Sequence, residues 1–303
     1  MSDETLIQQC YSTWSDNYYR EYYGDSAPYP PVHTKIIREL LESHGSHRLL
    51  DVGCGPASIL RDLQDLKLER YGFDLTPEMV QEAERVLVEQ GEPPGRVWQG
   101  SILNAESFSV KHLADAAPKD FDAVLCVGVM PHIPEQSDTV AFDNIRSALR
   151  AGGVAIVEAR NQLFSLFSAN RYSYEFFTNE LINVSALRQR LPEDSVSTFD
   201  FAIEQLKSNF RVDLPHARPG KGGQPGYDEV LSRSHNPLVL QEQFRKAGFA
   251  KVETLFYHYH ALPPYLGREL GQEFVRQSVL MENPRDWRGL FMASAFFLVG
   301  VAE

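Results

Sequence analysis

Residues 49–59 have the sequence LLDVGCGPASI, and this stretch decides the fold of the 303-residue chain. The apolar run that ends at Val52 predicts a buried strand, and helical spacing begins at Ala57. Between them, Gly53 and Gly55 allow the positive φ and the close backbone approach of a tight turn. A strand, a glycine turn and a helix in this order present backbone N–H groups to a ligand.

Two acids near this turn indicate the kind of ligand. Asp51 would repel a phosphate, but it suits a ligand that carries an amine, a sulfonium or a ribose. Asp74 ends the next predicted strand 23 residues later, close to the ~20 residues expected for a ribose-binding acid. Ser58 stands where the dinucleotide fingerprint has its third glycine. The pattern therefore favours a nucleoside ligand with no phosphate at the turn.

Strands and helices alternate along most of the chain. Strands are predicted near 48–53, 69–74, 96–100, 121–127, 153–159, 251–258 and 290–302, and helices over 6–23, 32–43, 57–66, 77–90, 104–116, 138–149, 238–247 and 268–281. This alternation predicts an α/β fold, with a doubly wound, mostly parallel seven-stranded sheet that carries helices on both faces.

Five segments, in order, resemble motifs of the class I S-adenosylmethionine (SAM)-dependent methyltransferases of the small-molecule type. They are LDVGCG (50–55), GFDL (72–75), WQGSI (98–102), FDAVLC (121–126) and LRAGG (149–153). The third glycine common in the first motif is Ala57 here. The resemblance covers residues 51–159, returns in the last strands, and implies SAM as cofactor and S-adenosylhomocysteine (SAH) as its product.

The resemblance also implies which residues hold the cofactor, at the carboxyl ends of the strands. Asp74 is expected on the ribose hydroxyls. The other expected contacts are Asp51, Gly53, Gly55, Leu75, Met79, Ser101, Ile102, Cys126 and Val127. The segments YSTW (11–14) and NYY (17–19) are similar to an N-terminal flap that closes over the cofactor, with Tyr18 or Tyr19 nearest the sulfonium because a ring face suits a cation. The alternative is an aromatic stripe that only packs in the core.

Three regions follow from this pattern. Residues 1–47 form an N-terminal helical flap, and residues 48–160 with 237–303 form the SAM-binding core. Residues 161–236 form a mainly helical cap inserted after the fifth strand. The cap is aromatic and ends in a loop at 215–227 whose prolines and glycines predict mobility. The cap could select the acceptor substrate, bury its aromatic rings on the sheet, or provide the surface of a homodimer.

His132 is the leading candidate for a catalytic base, because it follows the fourth strand on the loop that faces the transferable methyl group. Its alternative role is loop packing. Glu158 and Arg160 end the fifth strand toward the same crevice, and with His235 they are the candidate substrate contacts. His258 and His260 show no metal-binding spacing, so no metal is expected.

Composition narrows the classes of function. The net charge of −12, with no Lys/Arg run, disfavours nucleic acid as a partner. Cys10, Cys54 and Cys126 have no disulfide spacing, which indicates reduced thiols in the cytoplasm. No apolar run is long enough for a membrane span, and the start MSDE does not resemble a signal peptide. We therefore expect a cytoplasmic protein without a membrane partner.

The prediction is a SAM-dependent methyltransferase that acts on a small molecule, with a hydroxyl as the favoured acceptor. The motif associated with methylation of exocyclic or amide nitrogens is absent, because Val127-Gly128-Val129-Met130 stands in its place. N-methylation of a small amine stays open, as does methylation of tRNA or protein. A non-enzyme alternative also stays open, in which the fold binds SAM and serves as a regulatory or partner subunit.

Overall fold

A computed structural model describes residues 2–12, 15–23, 27–109, 121–214 and 223–303 of the chain. The strands are Arg48–Val52 (β1), Glu69–Asp74 (β2), Val97–Gln99 (β3), Phe121–Cys126 (β4), Leu149–Arg160 (β5), Phe249–Tyr259 (β6) and Ala293–Ala302 (β7). They form one seven-stranded sheet in the order β3-β2-β1-β4-β5-β7-β6. Only β7 is antiparallel to its neighbours, so the predicted mostly parallel sheet is confirmed.

Helices lie before, between and after these strands. Those before β1 are Asp3–Ser12 (α1), Ser15–Tyr22 (α2) and Val32–Ser43 (α3). Those between β1 and β5 are Ser58–Asp62 (α4), Pro77–Glu89 (α5) and Asp138–Ala148 (α6). Those between β5 and β6 are Ser165–Ser168 (α7), Arg171–Glu175 (α8), Val184–Arg188 (α9), Glu193–Lys207 (α10) and Pro237–Lys246 (α11). Those between β6 and β7 are Gly267–Leu270 (α12), Gln272–Leu280 (α13) and Gly289–Met292 (α14).

The core lies on both faces of the sheet. One apolar cluster joins the sheet to α6 and α11 through Phe142 and Phe244, and a second joins it to α3 and α5 through Leu41 and Val86. Strand β4 is covered on both faces, which explains why its sequence reads as an almost continuous apolar run rather than an alternating one.

Several element boundaries differ from the predicted ones. The predicted helix 57–66 stops at Asp62, and Ala57 before it is left-handed, with φ of 59°. Strand β5 begins at Leu149, because that residue pairs with Phe121 ahead of a register shift. The predicted helix 268–281 is split at Gly271, where φ is 52°. The predicted helix 6–23 is replaced by α1 and α2.

Two predicted features fall partly outside the described residues. Of the predicted helix 104–116, the structure describes a 3₁₀ turn at Ala105–Phe108, and residues 110–120 are not described. Of the loop 215–227, residues 215–222 are not described. Within the described parts of the chain, no helix is both long and apolar enough to cross a membrane.

Candidate active site

A cleft lies at the carboxyl ends of β1, β2 and β4, where an open α/β sheet holds its ligands. Nine of the expected cofactor contacts line it: Tyr18, Gly53, Gly55, Asp74, Leu75, Met79, Ser101, Ile102 and Val127. Apolar side chains and a carboxylate thus face the same space. This donor set fits a nucleoside ligand, with an apolar surface for a base and an acceptor for sugar hydroxyls.

Asp74 fixes the glycine turn from the end of β2. Its carboxylate accepts the backbone N–H of Gly55 at 2.9 Å and that of Thr76 at 2.8 Å. Desolvation raises the pKa of Asp74, and these N–H groups partly oppose that rise. Gly53 has φ of 69°, and a Cβ built on it would lie 2.2 Å from Cγ2 of Val129. The turn therefore needs glycine at position 53 both for its backbone and for its space.

Helix α1 closes one side of the cleft. The Gln8 side chain donates to the carbonyl oxygen of Leu75 at 2.7 Å. The Ser101 hydroxyl donates to the carboxylate of Glu4 at 2.5 Å. Both contacts tie α1 to residues that follow a strand of the sheet, so the helix shields the cleft from water.

The remaining expected cofactor contacts, which do not line the cleft, are Asp51, Cys126 and Tyr19. Asp51 is only 2% exposed, and this burial, together with the charge of Asp74, raises its pKa well above the usual range. Tyr19 turns toward α4, where its hydroxyl donates to Asp62 at 2.9 Å and its ring lies 4.1 Å from the guanidinium of Arg61. Tyr18 is the tyrosine of this pair that the structure brings to the cleft.

A second cavity adjoins the cleft. The residues that line both spaces are Tyr11, Tyr18, Val127, Gly128 and His132. The ring side chains that line the second space but not the cleft are Tyr22, Tyr23, Tyr29, His33, Tyr227, Tyr257, His258, His260 and Phe274. We call this second space the aromatic cavity. Its composition suits a largely apolar molecule held by a few polar groups.

His132 lies where the cleft and the aromatic cavity meet. Its Nδ1 lies 2.7 Å from the carbonyl oxygen of Leu231, which can only accept, so Nδ1 carries the proton. The other ring nitrogen, Nε2, is then free to accept, and the Tyr11 hydroxyl donates to it at 2.8 Å. Burial lowers the pKa of His132 to about 4, the hydrogen bond to Leu231 opposes this, and the charge of Arg160 adds to it. The imidazole is therefore neutral at pH 7.

Glu158 and Arg160, two of the candidate substrate contacts, both line the aromatic cavity. Glu158 accepts the backbone N–H of Gly128 at 2.5 Å, and desolvation raises its pKa. The guanidinium of Arg160 stacks on the ring of Tyr227 at 4.9 Å and donates to the hydroxyl of Ser232 at 2.5 Å. Each side chain is thus held in place before any substrate binds.

His235 does not reach the cleft or the aromatic cavity. It is 4% exposed, and its Nε2 lies 3.9 Å from the carboxylate of Asp138, which pairs with Arg233. Desolvation and the charge of Arg233 lower the pKa of His235 to about 3. Its main chain bridges to Asn161 just after β5. The geometry is that of a buried packing residue.

Two features of the site escaped the sequence analysis. Tyr11 was predicted only as part of the N-terminal flap, and nothing in the sequence joins it to His132, 121 positions away. His33 and Tyr257 come from α3 and β6, and only the fold brings them to one cavity. Among the described residues, no group of three or more His, Cys, Asp or Glu side chains is arranged to hold a metal ion.

Comparisons with known proteins agree with this geometry. A methyltransferase domain family matches residues 50–155. The chain is 25% identical over 228 residues to glycine N-methyltransferase of Rattus norvegicus, covering 69% of this chain and 70% of that protein. It is 27% identical over 199 residues to the ubiquinone biosynthesis O-methyltransferase of Dechloromonas aromatica, covering 66% of this chain and 73% of that protein.

Solved structures share the fold. The magnesium protoporphyrin IX methyltransferase of Synechocystis PCC 6803, solved with bound SAH, covers 100% of both chains with a TM-score of 0.51 and 14% identity. At 14% identity this similarity shows a shared fold and does not identify the acceptor.

Proposed function

We propose that this chain, which is a class I SAM-dependent methyltransferase, transfers the methyl group of SAM to a hydroxyl of a small molecule in the aromatic cavity. The observation that carries the proposal is the place of His132, whose ring lines both the cofactor cleft and the aromatic cavity. A neutral imidazole there can take a proton at the point where the two ligands meet.

The cleft would hold SAM through the residues that line it. Asp74 would accept the ribose hydroxyls, and Met79 and Ile102 would flank the adenine. The positive charge of this ligand would favour the ionised forms of Asp51 and Asp74 and so lower the pKa values that burial raises in the free protein. SAM supplies a methyl carbon on a sulfonium; as the acceptor oxygen bonds to that carbon, the C–S bond breaks and its electron pair stays on the sulfur of SAH.

The chain's own part in this transfer is alignment, exclusion of water and acceptance of a proton. The hydroxyl proton of the acceptor would pass to Nε2 of His132, whose Nδ1 proton is held by Leu231. Tyr11 fills the Nε2 hydrogen bond in the free protein and would give way to the acceptor hydroxyl. Helix α1 and the tyrosines of α2 would keep water away from the methyl group.

A second candidate acceptor is a small amine. The observation that favours it is Glu158, the one carboxylate among the described residues that line the aromatic cavity. Such a group could hold an ammonium near the cleft or take its proton. A neutral amine then needs little further help, and His132 would have no chemical role.

SAH release from matched acceptors separates the two candidates. The purified protein is incubated with SAM and with paired compounds that differ only in a hydroxyl or an aliphatic primary amine, which is an ammonium at pH 7. We expect SAH with the hydroxyl members and a loss of that release in His132→Ala. N-methylation would replace the proposal if SAH were released with the amines alone. That release would be unchanged in His132→Ala and lost in Glu158→Gln.

A further inference from the structure

A third cavity lies next to the aromatic cavity on the side of residues 161–236. The two cavities share Arg160, Tyr227, Pro264 and Ser294. The cationic side chains that line the third cavity are Arg160, Arg171, Lys207 and Arg233. Among the described residues, Glu175 is the one acid that lines it. We call it the basic cavity, and its charge is opposite to the net charge of −12 of the chain.

Two of these cations form no ion pair with a carboxylate of the described residues. Arg233 is neutralised by Asp138. Within the described part of the chain, no Asp or Glu side chain forms an ion pair with Arg160 or with Lys207, although Lys207 is half-buried. Arg160 and Lys207 therefore face this cavity without an ion pair to a described carboxylate, although Glu175 lines the cavity and the charge of buried Glu158 acts on Arg160.

Arg160 is nonetheless fixed in one position. Its guanidinium lies 4.9 Å from the centre of the Tyr227 ring and donates to Ser232 at 2.5 Å. A cation that is held by neutral groups keeps its charge available, and little conformational freedom is lost when an anion binds to it. Because Arg160 stands in the wall shared by the aromatic and basic cavities, one molecule can touch it and also reach the aromatic cavity.

We infer that the acceptor carries an anionic group, a carboxylate or a phosphate ester, which binds in the basic cavity against Arg160 and Lys207 while its methylated end lies beside His132. This inference rests on the proposed function, because it gives the substrate class of the same site. An anion matches the two unpaired cations by charge, and a bound carboxylate or phosphate accepts hydrogen bonds from both side chains.

The test measures binding of a matched pair to the full chain saturated with SAH. The pair is 3-(4-hydroxyphenyl)propionate and its uncharged amide, titrated by calorimetry. We expect the carboxylate to bind at least about tenfold more tightly, since hydrogen bonds to charged groups are worth more than neutral ones. Lys207→Gln should remove most of this preference, and Lys207→Arg should keep it. The control is Lys246→Gln, which removes an exposed lysine of α11 and should leave both affinities unchanged.

Two small anions test which anionic group the acceptor carries. Phosphate and acetate are each tested as competitors of the carboxylate. Stronger competition by phosphate indicates a phosphate ester, and stronger competition by acetate indicates a carboxylate. Neither ion should compete with SAM. Competition by neither, together with equal binding of acid and amide, would overturn the inference.

The outcomes for this inference and for the proposed function differ. Binding of the acid that depends on Lys207, without SAH release from any hydroxyl acceptor, supports the anionic site and counts against hydroxyl methylation. SAH release from neutral hydroxyl acceptors, with no preference for the acid and no effect of Lys207→Gln, supports hydroxyl methylation and overturns the anionic site.

Discussion

The hydroxyl of Tyr11 donates to Nε2 of His132 at 2.8 Å, and this bond joins the N-terminal helix to the loop after β4. Both residues line the cofactor cleft and the aromatic cavity. This bond and the bond to Leu231 together fix the tautomer of His132, so Nε2, which is bonded to Tyr11, is the nitrogen without a proton. This geometry supports the proposed transfer of a proton to His132 at the junction of the two spaces.

Replacing His132 with alanine should lower kcat by about 10²-fold or more, the usual contribution of a general base. The dissociation constant of SAM should stay within about threefold, because the cleft keeps its other walls. Tyr11→Phe should lower kcat less than His132→Ala does, because it keeps the aromatic ring and leaves Nε2 of His132 free to accept a proton. Steady-state kinetics and calorimetry measure both quantities. Equal turnover in the wild type and His132→Ala would make His132 a packing residue.

The pH dependence of turnover follows from the buried imidazole. Burial lowers the pKa of His132 to about 4, so its neutral, proton-accepting form persists at all higher pH. With SAM saturating, kcat/KM for the acceptor should therefore stay level as the pH falls from 7.5 toward 5, and decrease as the pH falls through about 4. An acidic limb centred near 6.5, the pKa of a solvated histidine, would contradict this assignment.

Asp74→Ala should raise the dissociation constant of SAM by about 10²-fold. The change removes a carboxylate that lines the cleft and that also holds the N–H groups of Gly55 and Thr76. Hydrogen bonds to a charged group contribute about 1.5–3 kcal/mol each, which accounts for this size. Calorimetric titration measures it. Asp65→Ala, which removes an exposed acid paired with Arg38, is the matched control and should leave SAM binding unchanged.

Gly53→Ala should both destabilise the protein and prevent SAM binding. The new Cβ would lie 2.2 Å from Val129, at a φ of 69°. Gly45→Ala isolates the backbone cost, since Gly45 has φ of 59° and nothing within 4 Å of a built Cβ. The left-handed backbone should lower the free energy of unfolding of Gly45→Ala by about 1–2 kcal/mol.

The double variant Gly53→Ala/Val129→Ala removes the steric overlap and keeps the backbone cost. It should recover part of the lost stability, measured by thermal unfolding. A Gly53→Ala variant no less stable than Gly45→Ala would show that the overlap does not matter.

The fold was predictable because apolar runs and glycine turns are local signals. The run ending at Val52 and the acid at Asp74 place β1 and β2 to within a residue. The misplaced boundaries depend on contacts across the sheet. Leu149 belongs to β5 because it pairs with Phe121 on β4. The sequence around Leu149 contains no local signal that predicts this pairing.

The site was predictable only where it follows the strands. Gly53 and Asp74 end consecutive strands of one sheet edge, so their meeting follows from topology. Tyr18 and Tyr19 are neighbours in one helix, and the sequence does not tell which of them faces the cleft. His235 was predicted to contact the substrate. In the structure its main chain is hydrogen-bonded to Arg160 and Gln162, and its side chain lines neither the cleft nor the aromatic cavity. Tyr11 and His132 meet only through tertiary packing.

The most direct test is to follow the methyl group itself. The protein is incubated with SAM that carries a deuterated methyl group and with a hydroxyl acceptor found by SAH release, and the product is analysed by mass spectrometry and NMR. We predict that the label appears on the acceptor oxygen, and that its transfer is lost in His132→Ala while SAM still binds. A label found on nitrogen, or transfer that proceeds unchanged in His132→Ala, would contradict the account.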